Sequence, residues 1–183
     1  MEFLKNTIVR LEPLVLEHTK LLLPIAMEKD LVQYSPSDIG SQESLQAYIS
    51  KALSDQANGK TLPYAVFDMR ERHYAGCTRF MNIDKENKVV EIGSTWIGRA
   101  FQGTGLNTAM KQLMLDYAFN ELRFEKVEFR IDQRNTRSRK AVEKLGALLE
   151  GVLRENVFLL DGYKRNTCCY GILKKEWASS SIT

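Results

Sequence analysis

The sequence predicts an α/β (α+β) fold, built on a mixed and mostly antiparallel sheet with a parallel strand pair near its centre, flanked by helices. Three observations predict it. Tyr64–Met69, Tyr74–Ile83 and Val89–Ile97 are strand-like runs separated by the short polar turns Arg70–Arg72 and Lys85–Lys88, the pattern of an antiparallel meander. Helical segments then stand on both sides of the strand-like Val127–Ile131, so a βαβ crossover with parallel strands is expected in mid-sheet. Finally, Asp161-Gly162 is a hairpin turn between Gly151–Leu160 and Arg165–Leu173.

In chain order, Thr7–Leu11 alternates as a short strand. Glu17–Glu28 has helical composition, with Pro24 expected to kink or split it. In Ser41–Asn58, Leu45, Tyr48, Ile49, Ala52 and Leu53 follow the spacing of one buried helix face, and Asn58-Gly59 supplies a stop. Gly105–Leu122 carries an apolar stripe of Leu106, Met110, Leu113, Met114 and Tyr117. Thr136–Leu145 is the next helix, with Gly146 just past its end. The expected order is β, α, α, β, β, β, α, β, α, β, β, in one domain over residues 1–178. The tail Ser179–Thr183 is expected to fray.

With 183 residues, 44% hydrophobic and 27% charged, the composition is that of a soluble globular domain. Its longest apolar runs, Leu21–Ile25 and Val157–Leu160, fall far short of the roughly 20 residues a membrane helix needs. Glu2 and the lack of an apolar stretch in Met1–Arg10 argue against a secretory leader. Cys77, Cys168 and Cys169 form no disulfide framework, and neighbours in a strand point to opposite faces. They read as free thiols of a reducing cytoplasm, and no metal site is expected. Both His18 and His73 read as surface residues.

A strand runs into a glycine-rich turn at Gly98–Gly105, and the turn opens a helix. The first amides of a helix lack carbonyl partners and carry the positive end of its dipole, so this is a ready phosphate site. The dinucleotide pattern GxGxxG fails at Thr108, and the P-loop pattern fails at Thr104, where it needs lysine. A tight connection without a ligand is the alternative reading.

Gln102-Gly103-Thr104-Gly105-Leu106-Asn107 resembles motif A of the GNAT acyltransferases, Q/R-x-x-G-x-G/A. Asn135-Thr136-Arg137-Ser138 followed by Glu143-Lys144-Leu145-Gly146 resembles their motif B. The resemblance extends from about Asn6 to Trp177 and is nearest to the RimJ/RimL branch, which includes ribosomal-protein N-terminal acetyltransferases. It implies the GNAT fold, whose central parallel strands splay apart to admit the pantetheine arm of acetyl-CoA, here between Val89–Ile97 and Val127–Ile131. It implies that the backbone of Gln102, Gly103, Thr104, Gly105, Leu106 and Asn107 holds the pyrophosphate, although Asn107 departs from the motif's Gly/Ala. Trp96, Ile97, Thr108, Asn135, Ser138 and Lys140 are further implied contacts, and Arg99 and Arg137 join Lys140 as candidates for the phosphates. Gly93 fits a bulge or a close approach of the arm, or plain packing.

Acyl transfer to an amine needs a proton acceptor, a stabilised oxyanion and, for the leaving thiolate, a proton. By resemblance Ser138 is the donor to the sulfur; Val142 stands where many members have tyrosine. Its alternative is a place in the helix start behind an Asn135 cap. The carboxylate that known members of the branch carry after motif B aligns with Val157, so it does not transfer. Glu91, on the face of Gly93, is the candidate base, with Glu155 weaker; an ordinary solvated strand residue is the alternative for Glu91.

An α-amine, with a pKa near 8, is about a tenth neutral at pH 7, whereas a lysine is about a thousandth or less. A site with an uncertain base therefore favours a protein N-terminus or another low-pKa amine over a lysine. Eight basic residues between Arg123 and Lys144 offer phosphate contacts, RNA docking or a solvated face, and without aromatic interleaving direct nucleic-acid binding is disfavoured. A non-catalytic acyl-CoA-binding module is the rival reading, and a homodimer is common in the family.

Overall fold

The computed structural model describes residues 2–180. Its strands and helices, in chain order, are β1 (Leu4–Lys5), β2 (Val9–Pro13), α1 (His18–Ala26), α2 (Gln42–Ala57), β3 (Leu62–Asp68), β4 (His73–Asp84), β5 (Val89–Ile97), α3 (Leu106–Asp116), β6 (Lys126–Asp132), α4 (Thr136–Glu143), β7 (Leu148–Phe158), β8 (Lys164–Leu173) and α5 (Lys174–Ser180). The strands make one sheet in the order β1-β2-β3-β4-β5-β6-β8-β7. Only β5 and β6 run parallel. The meander β2 to β5, the βαβ crossover through α3 and the last hairpin are those expected from the sequence.

Local chemistry sets the boundaries. Ser41 caps α2 by accepting the Ser44 amide, while the Ser44 hydroxyl accepts the Ser41 amide. Such a cap is worth about 1 kcal/mol. Pro24 does not split α1; the helix ends two residues after it. After Asp116 the chain continues as a π-helical turn, Tyr117–Glu121, in place of the expected regular helix to Leu122. β1 and α5 are additional to the expected elements. α5 takes in Ser179 and Ser180, so the frayed tail is corrected there; its remainder, residues 181–183, lies outside the described residues.

Two apolar clusters sandwich the sheet. One joins Val90, Ile92, Val127 and Phe129 to Leu106, Met110 and Met114 of α3. The other joins Cys77 and Trp96 to Leu22 of α1 and Leu45 and Ile49 of α2. Full burial of such a side chain contributes roughly 1.5–3 kcal/mol, so each helix is held by a few residues on one stripe.

His18 is a correction: it is buried, not exposed. Its Nδ1 accepts the Val15 amide at 3.0 Å, and its ring meets Tyr74 edge-on. Burial lowers its pKa, against the pull of Glu12. His73 is exposed at the start of β4, as expected. Cys77 and Cys168 are buried and Cys169 is half-buried, all three as free thiols.

Candidate active site

The β5–β6 ladder holds for three pairs, Val89↔Lys126, Val90↔Val127 and Glu91↔Glu128, and then stops. Beyond that point β5 stays with β4 and β6 stays with β8. The parallel strands therefore splay, and a cleft of about 770 Å³ opens between them. Glu91, Gly93, Trp96, Ile97, Gln102, Gly103, Asn107, Asn135 and Ser138 all line it. One cleft thus collects residues that lie in three separate stretches of the sequence.

A bulge re-aims β5 inside this gap. Arg79 pairs with Gly93 and Cys77 with Trp96, so three steps on β5 face two on β4. Ser94 takes up the extra residue with φ +47°. Before the bulge Val90 and Ile92 face α3; after it Thr95 does, because it meets Lys111 of α3. A Cβ on Gly93 would lie 2.7 Å from Met81 Sδ and 3.0 Å from Glu91 Oε1, so a larger residue would push into the cleft wall.

At one end lies the start of α3. Gly103 and Gly105 adopt φ of +79° and +88°, conformations that favour glycine, and a Cβ on either would meet nothing within 4 Å. Among the described residues the amides of Gly103, Thr104 and Gly105 have no acceptor, and the space in front of Gly103 and Gly105 is open. That suits a diphosphate. Gln102 differs from expectation: its amide donates to Arg99 O at 3.1 Å and its side-chain Nε2 to Ile97 O at 2.7 Å. It shapes the loop, and its Oε1 accepts from Arg137. Leu106 is buried, with its amide 3.4 Å from Thr104 Oγ1. Thr108 and Lys140 are exposed and do not line the cleft, whereas Arg99 and Arg137 do.

Asn135 caps α4 by accepting the Ser138 amide at 3.1 Å, which leaves the Ser138 hydroxyl half-buried on the cleft wall. Glu91 is only 6% exposed, which removes the reading of a solvated strand residue. Its Oε2 accepts from Asn82 at 2.7 Å and lies 3.5 Å from Arg130 Nε. Burial raises its pKa, with Asn82 and Arg130 opposing. Glu155 is exposed at a kink of β7 with φ +46° and lies outside the cleft.

Sequence reasoning missed three lining residues. Lys111, in the apolar stripe of α3, is 5% exposed and donates from Nζ to Thr95 Oγ1 at 2.7 Å. Burial pushes its pKa down to about 7, with Glu91 pulling it back up. Asp132 is buried and accepts the Arg134 amide and guanidinium. Arg165 reaches from β8 to Tyr34 O at 2.8 Å, tying the strand to the loop after α1. Only Lys111 left a signal, a lysine one turn after Asn107 on the buried side of an amphipathic helix.

The basic stretch is largely engaged. Arg134 pairs with Asp132 at 2.9 Å, Lys126 with Glu150 at 2.7 Å, and Arg139 donates to Tyr170 Oη. This favours the solvated, paired face over an RNA surface. No three His, Cys, Asp or Glu side chains among the described residues converge as a metal site. No described helix is long and apolar enough to cross a membrane.

Comparison with known proteins agrees with this geometry. The Acetyltransferase (GNAT) domain family matches residues 9–148. The chain is 34% identical to the putative ribosomal N-acetyltransferase YdaF of Bacillus subtilis (strain 168), over 56% of this chain and 55% of that protein. It is 29% identical to the ribosomal-protein-serine acetyltransferase of Escherichia coli (strain K12), over 70% of each. A crystal structure of an acetyltransferase from T. thermophilus superposes with a TM-score of 0.86 at 32% identity, covering 100% of this chain and 94% of that one. The chain belongs to the GNAT acetyltransferase family and is an acetyl-CoA-dependent N-acetyltransferase.

Proposed function

We propose that the acceptor is a primary amine of low pKa, foremost the α-amine of a protein N-terminus, and that it attacks the thioester directly in a ternary complex. The observation that carries this reading is the splay beyond Glu91↔Glu128, which brings a buried carboxylate and an open diphosphate loop into one cleft. Bound acetyl-CoA supplies an activated acetyl carbon. The free amides of Gly103, Thr104 and Gly105, with Asn107, hold its phosphates, and Arg99 and Arg137 add charge. Glu91, whose Oε1 lies beside Gly93, takes the proton from the acceptor nitrogen. Ser138 Oγ donates a hydrogen bond to the sulfur. Direct attack is supported by the lining, which contains no cysteine among the described residues, and by Cys77, whose thiol burial pushes up to about 11.

The acceptor end is walled by the loop Asp30–Ser37 with Glu91, Asp132 and Arg165, a mixture of charges suited to an ammonium followed by peptide carbonyls. The names of two relatives, a putative ribosomal N-acetyltransferase and a ribosomal-protein-serine acetyltransferase, point to the same acceptor. A cytoplasmic location is supported by the free thiols. A homodimer is supported by β7, an edge strand that exposes Leu148, Leu149, Val152, Leu153 and Phe158.

The test is thiol release from acetyl-CoA against peptides with free N-termini, serine first among them, alongside polyamines and aminoglycosides. We expect acceptor-dependent release that is greatest with a peptide. Release with polyamines alone would overturn the peptide assignment.

A further inference from the structure

Lys111 is the one lysine among the cleft-lining residues, and the described residues give its Nζ a single hydrogen-bond acceptor, Thr95 Oγ1. An ammonium has three donors, so two remain directed to no protein acceptor. Burying such a group without a reason is expensive, because the apolar stripe of α3 would accept methionine or leucine at this position. The elements packed around it are mostly uncharged at this point. β4 presents Thr78, which shares a 2.8 Å hydrogen bond with Thr95. β6 presents the Phe129 ring, 5.8 Å from Nζ. β5 presents Glu91, the carboxylate that acts on it. Arg130 and Asp132 of β6, Arg165 of β8, Arg137 of α4 and Arg99 complete the charged lining of the cleft.

Glu91 and Lys111 reach this gap from opposite faces of the sheet, because the bulge at Ser94 turns Thr95 toward α3. We propose that Lys111 is the acid of the reaction, giving its proton to the sulfur while Glu91 takes one from the acceptor nitrogen. This rests on the acetyl-transfer reading of the cleft.

The step balances. The acceptor nitrogen bonds to the acetyl carbon and loses one proton, to Glu91. The carbon–sulfur bond breaks and the sulfur gains one proton, from Lys111. Glu91 then returns its proton to Lys111, so the enzyme ends as it began. Magnitudes favour lysine in this role only because it is buried. A thiol titrates near 8.5, so an ordinary lysine near 10.4 protonates its thiolate uphill. An ammonium that burial has pushed to about 7 does so downhill. The Ser138 hydroxyl, neutral throughout, orients the sulfur without giving up its proton.

The test follows the Lys111 side chain itself, by NMR of protein carrying 13C-labelled lysine, with Lys111→Met to assign the signal. We expect a lysine resonance titrating near pH 7 in the free protein. Coenzyme A should raise that midpoint, because an ionising sulfur beside Nζ favours the ammonium, and desulfo-coenzyme A should not. In kinetics, Lys111→Met and Lys111→Arg should each lose about 10²–10⁴-fold in kcat with little change in coenzyme A affinity. The fall in kcat above about pH 7 should disappear with them. A Lys111 signal that ignores the sulfur, or a variant with normal kcat, would overturn the assignment while leaving the acetyltransferase reading intact. Failure of the wild-type protein to bind coenzyme A would overturn both.

Discussion

Two buried ionisable groups decide how this cleft responds to pH. Glu91 has its pKa raised by burial, so its carboxylate forms at higher pH than an exposed glutamate would. As a base it works ionised, and the rising limb of the rate profile should shift to lower pH when Asn82 or Arg130 is strengthened and vanish in Glu91→Gln. We expect Glu91→Gln to lower kcat by about 10²–10⁴-fold, measured with saturating acetyl-CoA. Lys111 affects stability with the opposite sign to a paired lysine. Its folded pKa of about 7 lies below the unfolded value near 10.4, so the folded state binds fewer protons between these limits. The penalty is complete below about pH 7 and is relieved as pH rises toward 10.4. Lys111→Met should therefore melt at higher temperature than wild type near neutral pH, with the difference narrowing in alkali. A variant less stable than wild type at pH 7 would mean that Nζ is better satisfied than the structure shows. At this scale the sequence showed Ser138 and the phosphate loop through their motifs. It did not show Lys111, because a lysine in an apolar stripe reads as a surface residue until its neighbours are known.

The element that matters most is β5. Simple alternation puts Glu91, Gly93 and Thr95 on one face, and the sequence offers no further signal than Gly93 that a bulge intervenes. The bulge sends Thr95 to α3, which is why Lys111 and Glu91 face one gap from two sides. Gly93→Val should close that gap. Collision with Met81 Sδ and Glu91 Oε1 should weaken coenzyme A binding at least tenfold by calorimetry, and unchanged affinity would place the arm elsewhere. The start of α3 offers a complementary test. Gly105→Trp should abolish coenzyme A binding while folding is retained. The left-handed conformation at Gly105 adds a strain of roughly 1–2 kcal/mol, visible as a lower Tm. Helix starts were well marked by Ser41 and Asn135, whose side chains speak locally. Helix ends were less so, since the π-helical turn after Asp116 is set by packing.

For the whole molecule, the meander, the crossover and the last hairpin were legible because each is announced by short-range chemistry: polar turns, a helix between strands, Asp161-Gly162. The insertion of β8 between β6 and β7 was not. A hairpin turn fixes the partner of each strand but not which strand faces inward. That choice is made by burial of Cys168, Tyr170 and Ile172 against the core. It leaves β7 on the rim, with leucines and Phe158 in solvent. If that rim is the dimer interface, Leu149→Lys with Leu153→Lys should convert a dimer into a monomer in sedimentation while leaving coenzyme A affinity unchanged. α5 was likewise hidden, since its Trp177 reaches across to Asp116, a contact between residues far apart in sequence.

The central claim is that one cleft holds acetyl donor and amine acceptor together, with the chain's own groups moving only protons. Initial rates of thiol release, with acetyl-CoA and an N-terminal peptide varied against each other, test it most directly. A ternary complex gives intersecting double-reciprocal lines, and no acetyl group found on the protein by mass spectrometry. Parallel lines, with acetyl-enzyme accumulating before the peptide is added, would show a covalent intermediate and contradict direct attack in this cleft.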